Sequence, residues 1–162
     1  MQIGNRPCRI YGEAHAEYLL LQMTGEHELQ SMKSEVAAIA QSAHHFLFAV
    51  IPVENWNDEL SPWDAPAVWG KQGFGGKAAD TLCFLTEQFI PTMKQQFHLP
   101  ENVKIILGGY SLAGLFALWA STHSRLAERS TDCTLEWNSG GHFKDADLRT
   151  AKAFRWTMEE SR

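Results

Sequence analysis

Cysteine is scarce in this chain: Cys8, Cys83 and Cys133 are the only three in 162 residues. An odd number at unrelated spacings argues against a disulfide framework or a zinc cluster, and all three are expected to be reduced core residues. No basic run exists. The formal charge of −5 is spread along the chain, which leaves no electrostatic footprint for nucleic acid or an anionic bilayer. Long hydrophobic runs are also missing. The opening residues 1–8 hold no apolar stretch of signal-peptide length, and the longest apolar segment, Leu112 to Ala120, is too short to span a membrane. A cytoplasmic protein with no membrane attachment is the resulting expectation. Repeats, low-complexity tracts and an internal domain boundary are absent as well. With 44% hydrophobic and 20% charged residues, residues 1–162 read as a single domain with one sizeable core.

Apolar runs of strand length, bounded by turn residues, alternate with helical periodicity. Tyr18 to Thr24 ends at Gly25 and reads as a buried strand. Between Glu28 and Gln41, the positions Leu29, Met32, Val36 and Ile39 form one helical stripe. Phe46 to Val53 is a second strand, and Glu54 to Gly76 a long loop rich in Trp, Pro and Gly. A helix with Ala78, Leu82, Leu85, Phe89 and Met93 inward follows, and Pro91 is expected to kink or divide it. Val103 to Leu107 is a third strand, Leu112 to Ala120 a helix apolar all round, as expected of one packed in a core, and Cys133 to Trp137 a short fourth strand. Asp145 to Met158 closes the chain as a helix with Leu148, Ala151 and Phe154 inward. Such alternation implies an α/β fold: a mainly parallel sheet with helices on both faces.

Chemistry enters at Gly109-Tyr110-Ser111-Leu112-Ala113-Gly114. A serine at the tip of a strand-to-helix reversal occupies a strained backbone, so its neighbours must be small. Gly109 two before Ser111, Ala113 two after and Gly114 next meet that demand, in the pattern G-x-S-x-G with alanine last. An apolar strand runs into this turn and an apolar helix runs out, which is the context the motif requires. The turn would lift the Ser111 hydroxyl above the sheet and make the Leu112 N–H an oxyanion donor. The competing reading is a small-residue turn that only packs strand against helix.

Three segments, GGYSLAGLFALWA, NWNDELSPWDAPAVWG and LEWNSGGHF, together resemble the α/β-hydrolase superfamily, specifically small bacterial serine esterases. The resemblance implies a nucleophile at Ser111 and a second oxyanion donor near Met23, Thr24 and Gly25. It also implies a catalytic histidine at His142, which follows the last strand and the Asn138-Ser139-Gly140-Gly141 turn and precedes the final helix. An imidazole there would accept the serine proton; the alternative is a solvated or capping loop histidine. The paired His44-His45 lack a second ligand pair, and His27-Glu28 lacks the partner of an H-E-x-x-H motif. Neither a metal nor another cofactor is expected.

The order serine, acid, histidine needs a carboxylate between Ser111 and His142, yet only 31 positions separate them. The helix after the turn and the last strand consume most of that length, so the strands that the resemblance implies between the elbow and the final strand are missing. Asp132, Glu128, Glu136, Asp145 and Asp147 are the acids at hand, and none is a convincing third member. A Ser-His dyad with weak activity and an inactive relative both remain open.

The loop carries Trp56, Trp63 and Trp69, stiffened by Pro62 and Pro66. With Tyr110, Trp56 and Trp63 would wall a substrate pocket at the carboxyl end of the sheet; equally, the rings could cover core surface. The functional expectation is a serine hydrolase acting on a small-molecule carboxylic ester or related acyl substrate. Its alternative is a weakly active or inactive hydrolase-fold binding protein lacking the acid. A shortened sheet would expose an apolar edge, and a homodimer is expected to cover it.

Overall fold

The computed structural model describes residues 1–25, 32–41, 44–68, 70–123, 140–142 and 144–160. The expected strand Cys133 to Trp137 lies outside them, as do Trp69, His27, Leu29, Glu128, Asp132 and Glu136.

Among the described residues four strands form the central sheet: β3 (Arg9–Gly12), β4 (Tyr18–Thr24), β5 (Phe46–Pro52) and β8 (Lys104–Gly108), in the order β3-β5-β4-β8. β4 pairs in parallel with both β5 and β8, and β3 runs antiparallel on β5. Every residue of β4 and β5 is buried. This is why both read as unbroken apolar runs: a parallel strand covered on both faces has no solvent side to mark with polar residues. β3 escaped the sequence reading because it is short and half-exposed. Two small hairpins flank the sheet, β1 (Gln2–Ile3) with β2 (Arg6–Pro7), and β6 (Asp64–Ala65) with β7 (Phe74–Gly75).

Alternation along the strands separates two cores. Leu19, Leu21, Met23, Leu47, Ala49 and Ile51 pack against α3 (Ala78–Phe84), α4 (Ile90–Gln96) and α5 (Leu112–His123). Tyr18, Leu20, Phe46, Phe48 and Val50 pack against α1 (Met32–Ala40) and α6 (Ala146–Glu160). Helices on both faces of a mainly parallel sheet match the pattern of alternating elements.

Between α3 and α4 the chain stays helical but widens into a π turn over Leu85–Phe89, with the Ile90 N–H bonded to the Leu85 carbonyl. Pro91 explains the turn. It has no N–H to donate and its ring collides with the carbonyl four residues back, and a widened turn absorbs both problems without a break. The five inner positions expected for this helix, Ala78, Leu82, Leu85, Phe89 and Met93, are all buried.

Three expectations about sidedness need correction. Leu148 is 53% exposed while Ala151, Phe154 and Met158 form the buried stripe of α6, because positions three and four apart from Phe154 share its face and Leu148 is rotated away. Helix α5 is not enclosed: Ala113, Phe116 and Ala120 face the core, but Leu118 is 66% exposed and Leu115 is also on the open side. Cys83 is an exposed free thiol on α3, whereas Cys8 is buried as expected.

Candidate active site

Strand β8 ends at Gly108, and after the three residues Gly109, Tyr110 and Ser111 the chain enters α5 at Leu112. At the reversal Ser111 has φ +57°, the left-handed region that a residue with a Cβ enters only at a cost. Three hydrogen bonds tighten the turn: Ala113 N–H to the Tyr110 carbonyl (3.1 Å), and Gly114 N–H (3.0 Å) and Leu115 N–H (3.1 Å) to the Ser111 carbonyl. Gly109 has no room for a side chain and Gly114 has little. A Cβ on Gly109 would lie 2.6 Å from the Ala113 Cβ and 2.7 Å from its carbonyl carbon, and a Cβ on Gly114 would lie 3.0 Å from the Gly109 carbonyl oxygen. The Ser111 side chain is exposed at the tip. Leu112 is the first residue of a 12-residue helix, so its N–H has no intrahelical acceptor and points with the positive end of the helix dipole toward the serine.

Gln22 of β4 is level with Gly108 of β8, so Met23 and Thr24 continue β4 alongside the elbow, one strand over. Thr24 is buried, with its hydroxyl on the Gly25 carbonyl (3.2 Å) and its own carbonyl accepting the Val53 N–H (3.0 Å).

Helix α6 runs down the other face. The hydroxyl of Tyr18, at the start of β4, donates to the Met158 carbonyl (3.2 Å), while the Phe154 ring covers Gly108 at the far end. The segment leading into α6 therefore lies at the carboxyl end of the strands and brings His142 to the elbow. There the imidazole stacks on Tyr110, with ring centroids 4.7 Å apart and planes 30° from parallel. Among the described residues no hydrogen bond joins the Ser111 hydroxyl to His142. Arg149 donates to the Gly141 carbonyl (3.3 Å) beside it. Of the acids near His142, Asp147 accepts from the Ser34 hydroxyl of α1 (2.5 Å), and Asp145 is exposed at φ +51°.

A groove of about 300 Å³ opens along β8 between α5 and α6, lined by Ile106, Gly109, Tyr110, Ala117, Arg149 and Phe154 among others. The two tryptophans diverge. Trp56, at the start of α2 (Trp56–Glu59), is half-buried against the core, and Trp63 is 58% exposed. Their loop is built rather than loose. The Glu59 carboxylate accepts the Glu54 and Asn55 N–H groups (2.7 Å each) and pairs with Arg6 (2.5 Å), while Asn55 caps the Asp58 N–H (3.2 Å). His44 and His45 are exposed, and among the described residues no group of three or more His, Cys, Asp or Glu is placed to hold a metal ion.

Sequence reasoning passed over one polar pair. Glu35 of α1, 1% exposed, accepts from the Gln22 side-chain amide of β4 (3.2 Å), itself 4% exposed. A signal was available, since Glu35 falls on the same helix stripe as Met32 and Ile39.

No protein-family model matches the chain, and no curated protein matches it. Among solved structures it is similar to the siderophore hydrolase EstA from Aspergillus nidulans, at 19% identity with a TM-score of 0.46. The match covers 68% of this chain and 41% of that one. Among the described residues no helix is long and apolar enough to cross a membrane.

Proposed function

We propose that this protein is a serine hydrolase of α/β-hydrolase type that cleaves a carboxylic ester or related acyl substrate through an acyl-Ser111 intermediate. The observation that carries the reading is the left-handed backbone of Ser111 (φ +57°) between an apolar strand and a helix N-terminus. Strain at a non-glycine residue costs roughly 1–3 kcal/mol and is kept where it aims a side chain. In the proposed reaction the Ser111 hydroxyl attacks the acyl carbon as His142 takes its proton. The Leu112 N–H and a donor from the Met23–Thr24 segment hold the oxyanion. His142 then protonates the departing alcohol, and water, deprotonated by His142, releases the acid. Tyr110, Trp56 and Trp63 are proposed to contact the substrate. Without a visible triad acid the dyad is expected to turn over slowly, since loss of that acid costs about four orders of magnitude in the well-studied triads.

Fluorophosphonate labelling followed by peptide mapping tests the proposal. Label on Ser111, lost in Ser111→Ala, is expected; a folded wild-type protein that stays unlabelled refutes it. One observation favours a second reading, a noncatalytic binding protein: His142 rests on Tyr110 rather than on the serine hydroxyl. That reading predicts ligand binding unaffected by Ser111→Ala and no label.

A further inference from the structure

The Glu35–Gln22 pair breaks the pattern of its surroundings. The face that α1 and α6 cover is built from Tyr18, Leu20, Met32, Ile39, Phe48 and Phe154, and Glu35 stands on that side at 1% exposure with the Gln22 amide at 3.2 Å. A buried polar pair replaced as a whole by well-packed apolar groups of similar volume is often as stable or more so, so the pair is not needed for packing alone. Departures of this kind concentrate at functional sites. The position is informative as well. Gln22 is level with Gly108, which leads directly into the Ser111 turn, and two residues on it becomes Thr24. The residue before Glu35, Ser34, donates to Asp147 of α6 at 2.5 Å. One helical turn is thus bonded both to the strand that continues into Met23–Thr24 and to the helix that follows His142.

We propose that Glu35 is a positioning residue: its hydrogen bond to Gln22, acting with Ser34–Asp147, holds the first turn of α1 so that the Thr24 and His142 segments keep their places beside Ser111. The inference rests on the serine hydrolase reading for its catalytic consequence, but its geometric content can be read without turnover. Glu35→Met and Glu35→Gln are compared with wild type by thermal unfolding, amide hydrogen exchange and the rate of fluorophosphonate labelling. The Met variant leaves the buried Gln22 amide without this acceptor and is expected to melt a few degrees lower than wild type while staying folded at the assay temperature. Its amides at Thr24–Gly25 and Gly140–His142 should exchange at least about tenfold faster, with β5 unchanged. Ser111 labelling and kcat on an aryl ester should fall about 10- to 100-fold with KM little changed, and the Gln variant, which can still bond Gln22, should recover most of the loss. Unchanged exchange in the Met variant overturns the proposal, and so does a loss that simply tracks a lowered melting point. If wild-type protein does not label, the hydrolase reading fails, while the exchange result still decides whether Glu35 holds these segments. Equal labelling of wild type and the Met variant leaves the hydrolase reading standing and removes Glu35 from it.

Discussion

Replacing Ser111 with alanine and, separately, with glycine gives two proteins that both lack the hydroxyl but differ in backbone freedom. At φ +57° an alanine Cβ meets the same left-handed penalty as the serine, about 1–2 kcal/mol, and glycine meets none. Glycine loses more chain entropy on folding, at a cost of roughly 0.5–1 kcal/mol relative to alanine in ordinary positions. The two terms oppose each other, and the larger penalty sets the sign: Ser111→Gly should be more stable than Ser111→Ala by about 0.5–1 kcal/mol. Urea unfolding followed by tryptophan fluorescence reads the difference. With a slope of roughly 2 kcal/mol per molar urea, the midpoint of the glycine variant should lie about 0.3–0.5 M higher. At a right-handed helical position the order would be reversed, so the sign alone decides. A glycine variant less stable than the alanine variant refutes the strained turn and, with it, the argument that the serine is held for its chemistry.

Gly109→Ala places a Cβ 2.6 Å from the Ala113 side chain and 2.7 Å from its carbonyl carbon, so it should cost about 1–3 kcal/mol by urea unfolding. The double change with Ala113→Gly should recover only part of this, because the backbone contact stays; an unaltered single variant would show that the helix does not press on the elbow. Burial pushes the Cys8 thiol up to about 11, against attraction from the N-terminal amine and Arg6. Since the folded state favours the protonated thiol, this contribution to stability is complete below pH 9.0 and is lost as pH rises through about 11. Cys8→Ser should therefore flatten that part of the stability–pH profile, and a profile unchanged by the substitution would contradict it. At pH 8 an alkylating reagent should modify exposed Cys83 well before buried Cys8, and peptide mapping that finds equal rates would overturn the assignment. The homodimer remains a proposal, centred on half-buried β8 and exposed Leu115 and Leu118. Sedimentation should give a concentration-dependent dimer that Leu118→Glu dissociates, and a monomer at every concentration removes it.

The three parallel strands, the helices between them and the turn at Ser111 could be read from the chain alone. Each depends on information that is local: unbroken apolar runs where both faces are covered, helical stripes, and small residues at fixed offsets around a tight reversal. β3 carried no such mark, since it is short and half-exposed. The tertiary structure decided what depends on neighbours brought from afar. Trp56 and Trp63 are the same residue type in one loop, yet one packs on the core and the other meets solvent. Leu148 was expected inward and stands outward because the sheet lies elsewhere around its helix. Glu35 is an acid on an apolar helix stripe, and only the tertiary structure shows it buried against Gln22. The relation between Ser111 and His142 belongs to this second class. A strained turn is encoded within six residues, but the seat of an imidazole against Tyr110 depends on how α6 docks on the sheet, and that is set by contacts such as Phe154 over Gly108 and Tyr18 to Met158.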